Sequence, residues 1–77
     1  MVFVPRPGVL FYTHIQSTPS TTWIVEHNLD KTSVAVDAQL NVNGNIVVAI
    51  PKDVIIIDNN TVHIVWQIPR SGTARVG

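Results

Sequence analysis

The sequence predicts an all-β domain, a small antiparallel β-sandwich or open barrel of about six to seven short strands with an extended N-terminal arm. Three observations carry that expectation. Val, Ile and Thr dominate the chain, and these side chains suit a pleated, half-buried surface. Apolar residues tend to alternate, and no helical i, i+3, i+4, i+7 pattern persists through about ten residues. Clusters of Gly, Pro, Asn, Asp and Ser punctuate the apolar runs at strand-length intervals.

Taken in order, residues 1–8, MVFVPRPG, read as the arm. Pro5 and Pro7 deny ladder hydrogen bonds and favour an extended path, while Val2, Phe3 and Val4 offer apolar contacts to a partner. Residues 9–77 form a single β-domain. Strands are expected over 9–16, 22–27, 33–41, 46–50, 54–57, 62–68 and, briefly, 73–76. In the second, Trp23 and Val25 alternate with Ile24 and Glu26, so the indole enters the core while Glu26 stays wet. His27 closes that strand on the Trp23 face, and its imidazole is expected to bond backbone groups of the HNLD turn, where Asn28 and Asp30 are natural turn formers.

The two hairpin turns differ in how much they disclose. A two-residue turn at Asn43-Gly44 would set Leu40 opposite Val47 and leave Ile46 and Val48 beside Gln39 and Asn41. A three-residue loop with Gly44 in the left-handed conformation pairs Leu40 with Ile46 and Ala38 with Val48, giving one clean apolar face, and is the expected register. At Asp58-Asn59-Asn60-Thr61 neither register separates the faces. Val62, Ile64, Trp66 and Ile68 share one side; His63, Val65 and Gln67 share the other, with either Val54 and Ile56 or Ile55 and Ile57.

Composition narrows the function. The chain has 77 residues and no Cys, so disulfides and thiolate metal sites are excluded, and oligomerisation is the remaining support for so small a fold. Five basic and five acidic residues cancel without a Lys/Arg cluster, which argues against nucleic acid as a partner. No stretch is long and apolar enough for a bilayer, and the opening residues lack the apolar core of a signal peptide, so neither a membrane nor a secretion route is expected. Charged residues are only 13% of the chain against 45% hydrophobic, so part of the surface is expected to be covered.

His14, His27 and His63, with Ser17, Ser20 and Ser33, supply the residue types of nucleophilic catalysis without a nucleophile elbow or a phosphate-binding loop. The carboxylates Glu26, Asp30, Asp37, Asp53 and Asp58 fall mostly at turns rather than as a cleft pair. The His spacing matches no metal motif. The expectation is therefore a protein without catalytic residues, cofactor or metal.

Gln16-Ser17-Thr18-Pro19-Ser20-Thr21-Thr22-Trp23, followed by His27-Asn28-Leu29, resembles a short β-module of tailed-bacteriophage virion proteins, notably tail fibres and other appendages. Asp58-Asn59-Asn60-Thr61-Val62-His63-Ile64 and Pro69-Arg70-Ser71-Gly72 look like the closing hairpin and final Gly turn of the same module. The family usually carries Gly where this chain has Asp30, and its middle hairpin is commonly shorter. The resemblance implies a non-enzymatic virion component, with Gln16, Pro19, Trp23, His27, Asn28, Leu29, Gly44 and Gly72 as its structural motif. It would bind itself, a trimer being favoured by the likeness to fibres, and other virion proteins, at head, neck, baseplate or fibre. Val2, Phe3, Val4, Ile55, Ile57, His63 and Val65 are the candidate interface. The alternative is a receptor- or carbohydrate-binding module stacking a host surface glycan on Trp66 or Tyr12.

Overall fold

A computed structural model of the chain describes residues 11–77; the expected arm, with Val2, Phe3 and Val4, lies outside them. The described residues form five strands and no helix: β1 Tyr12–Glu26, β2 Val36–Val42, β3 Asn45–Ala49, β4 Asp53–Asp58 and β5 Thr61–Val76. All belong to one antiparallel sheet, so the chain is all-β. β5 is its spine. It pairs with β1 along most of its length, while its other side is shared between β4 on the first half and β2 on the second, with β3 beyond β2.

There are fewer strands than the punctuation predicts because two long ones each absorb a pair. β1 runs through Ser17-Thr18-Pro19-Ser20 and β5 through Pro69-Arg70-Ser71-Gly72, where the sequence predicts breaks. The β1/β5 register shifts between Gln16 and Thr22, so the ladder is irregular where the prolines stand. Side chains satisfy the local backbone: Gln16 Nε2 donates to the Thr18 carbonyl at 2.9 Å, and the Ser20 hydroxyl donates to the Thr22 carbonyl at 2.9 Å and accepts from the Thr22 N–H at 3.2 Å. The same stretch bends the sheet. His14 and Trp23 would stand ~30 Å apart on a straight strand, yet their rings approach to 5.9 Å.

The core lies on the inner side of the bend. Trp23 and Val25 of β1 face Ile64 and Val62 of β5 across the ladder, and Ala38 and Val36 of β2 face Ala74 and Val76. Trp23, Val25, Val62, Ile64 and Val76 are fully buried, joined by Ala38, Leu40, Trp66 and Ala74. The indoles of Trp23 and Trp66 meet at 5.0 Å in a tilted arrangement, and Trp23 Nε1 donates to the Arg70 carbonyl at 3.0 Å. Ile68, expected on this face, is exposed, because it enters the irregular stretch and no longer keeps the alternation.

The middle hairpin corrects the expected register. Leu40 pairs with Val47, Asn41 with Ile46 and Gln39 with Val48, across the two-residue turn Asn43-Gly44. Both turn residues have positive φ, 51° and 83°, the backbone that matches the twist of the flanking strands. Local turn geometry overrides the cleaner face, and Ile46 and Val48 are left about three-quarters exposed, at 75% and 74%. Gly44→Val is accordingly expected to lower stability by ~1–2 kcal/mol more than Gly44→Asn, since a β-branched side chain resists positive φ far more than Asn does. Paired denaturant melts check this.

Gly72 also differs from expectation. It is not a turn residue but a β5 position flanked by Gln16 of β1 and Leu40 of β2. A Cβ there would collide with the Gln39 carbonyl oxygen and stand 2.9 Å from the Leu40 Cα.

Candidate functional site

One end of the sheet is built from the loop after β1 and the β4–β5 turn. The Asp58 carboxylate accepts the Asn60 N–H at 2.8 Å, and Asn60 Oδ1 accepts the Asp30 N–H at 3.0 Å. The Lys31 N–H donates to the Asn59 carbonyl at 2.8 Å, and the Asn28 N–H to that of Asn60 at 3.3 Å. Asn28 and Asp30 both hold φ of 55°. At Asp30 the backbone is therefore left-handed, a conformation that glycine adopts without steric cost. Asp30→Gly is expected to raise stability by ~0.5 kcal/mol, the relief of αL strain exceeding the added chain entropy; a shifted urea midpoint measures it.

His27 is buried at this end, and its Nδ1 accepts the Leu29 N–H at 3.0 Å. That bond places the proton of the neutral ring on Nε2, which is buried without a partner. Desolvation lowers the pKa below the usual 6.5, Asp58 opposing and Lys31 adding to the shift. The unfolded chain therefore takes up a proton before the folded one does. The stability that this contributes is complete above about pH 6.5 and is lost as the pH falls through that value towards the lowered folded pKa. Urea midpoints should drop more steeply on acidification for the natural chain than for His27→Gln.

The remaining motif residues are placed by the same ladder. Gln16 pairs with Gly72, and its Oε1 lies 2.8 Å from His14 Nε2; Pro19 is exposed on the irregular stretch, and Leu29 is half-buried. His14, His27 and His63 stand apart in the fold: on the inner side of β1, at the loop after it, and on the outer side of β5. No group of three metal-ligating side chains occurs among the described residues. Trp66, one of two aromatic platforms the sequence offers for a sugar, is 6% exposed and packed on Trp23, so it presents no stacking face.

The chemistry-bearing feature is an apolar surface on and around β4. Pairing of Ile55 with His63 and of His63 with Ile24 sets these three in a row on the outer side of the sheet, next to Val65. The structure thus joins Ile55, His63 and Val65 of the expected interface, and adds Ile24, 61% exposed, which alternation with buried Trp23 and Val25 makes legible. Ile57 falls at the irregularity between Ile56 and Asp58. Sequence reasoning missed the inner side of the same strand. Val54 and Ile56 pair with Ile64 and Val62, which are wholly buried, yet they are themselves 39% and 41% exposed. β4 pairs only with β5 among the described residues. Among the described residues the core is open there, beside a strand that bears Val and Ile on both faces and whose far edge no described strand pairs.

Searches with protein-family models, among curated proteins and among solved structures found no match to this chain.

Proposed function

We propose that the chain is a non-enzymatic, self-associating structural component of a tailed-phage virion, which attaches to other virion proteins through its apolar surface. The observation that carries the reading is β4: a strand exposed on both faces, Asp53 to Asp58, whose Val54 and Ile56 lie opposite the buried Ile64 and Val62 of β5. Exposed apolar patches of this extent mark association surfaces on soluble domains. The likeness of the Trp23 to Leu29 segment to virion β-modules supplies the setting, and the all-β antiparallel sheet with its one core supports a small β-module. Val54, Ile55, Ile56 and Ile57 are still 39–48% exposed, so covering them, at roughly half of the ~1.5–3 kcal/mol that full burial contributes per side chain, would add a large share of the stability of a domain of this size.

Light scattering at micromolar concentration tests self-association, and labelling of purified particles with an antibody tests the virion setting. Val65→Lys, on the outer face, is expected to reduce the oligomer. A stable monomer at all concentrations contradicts the first part, and absence from particles the second.

A further inference from the structure

We propose that the cavity between the β3–β4 connection and the middle of β5 binds a small organic anion, an oxyanion head on an apolar body, with Lys52 and Arg70 as its charge partners. This is a ligand site rather than an association surface, and it stands on different residues. The cavity measures about 390 Å³ and is lined chiefly by Ile50 and Lys52 of the connection and by Trp66, Gln67, Ile68 and Arg70 of β5. Five residues of the whole chain are Lys or Arg; two of them line this cavity, and no Asp or Glu does. The backbone beneath both cations is held. The Lys52 N–H donates to the Val65 carbonyl at 2.9 Å, and the Arg70 carbonyl accepts Trp23 Nε1 at 3.0 Å. Asp53 follows Lys52 but pairs with Val65 on the outer side of the sheet, so alternation turns its carboxylate away.

The neighbouring cavities differ. Those at Arg75 also hold Asp37, and the one beside Gly72 is lined by uncharged side chains. A cleft lined by charge of one sign concentrates ligands of the other. The Arg70 guanidinium can fork onto a carboxylate or a phosphate, and Lys52 adds a point charge. Ile50 and Ile68, 93% and 53% exposed, line the same cavity and suit an apolar body attached to the head. Trp66 forms part of the wall, and its Nε1 is buried without an acceptor among the described residues. An oxyanion brings acceptors, whereas a cationic ligand would leave that donor unmatched. Being covered, Nε1 is met only if the wall shifts; Lys52 and Arg70 hold the charge.

The chain has two Trp residues, so nuclear magnetic resonance of the nitrogen-labelled protein reads the wall through one of two indole N–H signals. Phenyl phosphate and benzoate are the probes, and their relative affinities tell which oxyanion head the site prefers. At least one is expected to shift the Trp66 indole and the Lys52 and Arg70 amides saturably, leaving Lys31 and Asn59 unmoved. Benzamide, with the same ring and no charge, is expected to shift none of them, and inorganic phosphate to bind more weakly than phenyl phosphate. Lys52→Gln and Arg70→Gln are each expected to raise the Kd on the order of tenfold, the scale of one charge-assisted hydrogen bond. Arg70→Lys, which keeps the charge and loses the fork, should fall between. Lys31→Gln makes the same change of net charge in the loop after β1 and is expected to leave the Kd unchanged. No saturable shift with either anion at millimolar concentration, shifts centred elsewhere, equal binding of benzamide, or a Kd unmoved by Lys52→Gln overturns the site. Inorganic phosphate binding as tightly as phenyl phosphate overturns the ligand class. Should Arg70→Gln not fold, Lys52→Gln, at an exposed position, decides alone.

Discussion

Gly72→Ala is expected to abolish the native fold or force β2 off β5. The added Cβ would meet backbone, the Gln39 carbonyl and the Leu40 Cα, and backbone cannot step aside as a side-chain tip can. Its φ of 155° adds a second, smaller objection. Overpacking costs ~1–3 kcal/mol where side chains relax; with a strand as the neighbour the cost should exceed ~3 kcal/mol, out of ~4–12 kcal/mol expected for a chain of this length. Gly44→Ala is the control. It too lies at positive φ, but its Cβ would enter open space, so only the ~1 kcal/mol conformational penalty applies. Urea melts followed by far-ultraviolet circular dichroism compare them, and a Gly72→Ala protein as stable as Gly44→Ala would show that β2 does not cross so closely.

Trp23→Ala is expected to cost ~3–5 kcal/mol, the range for a large buried aromatic. It would remove a wholly buried side chain at the bend, strip Trp66 of its ring contact and leave the Arg70 carbonyl without its donor. Conservative variants divide these effects. Trp23→Phe keeps a ring but loses the bond to Arg70, whereas Trp66→Phe removes an Nε1 that is buried without a partner. Since an unmatched buried donor destabilises the fold that contains it, Trp66→Phe should cost at least ~1 kcal/mol less than Trp23→Phe. Thermal melts of the two single variants measure the difference; equal losses would mean that the indole of Trp66 finds a partner after all.

Much of the candidate site was legible because alternation is a local property. Trp23, Val25 and His27 inside with Ile24 outside follow from the period of the strand, as does the two-sided character of VIII. The imidazole bond to the HNLD turn followed from the short reach between His27 and Leu29. Asn43-Gly44 was equally local, and was misread by favouring a uniform apolar face over a turn whose two positive φ angles suit Asn and Gly. The exposed Ile46 and Val48 are the consequence.

By itself, then, the sequence determined the all-β class, the Trp23 core face and the lack of disulfides, since each depends on residue type or on neighbours along the chain. Only the tertiary structure decided that Ser17 to Ser20 and Pro69 to Gly72 bend continuous strands rather than end them, because the same polar, Pro-rich residues serve a loop or an irregular ladder, and the ladder partner decides which. Likewise it alone put Ile55, and not Val54, beside His63 and made β4 an edge strand among the described residues. Which strand lies next to which is a long-range choice, set by the bend that folds Trp23 and Trp66 against one another, and periodicity within a strand carries no record of its neighbour.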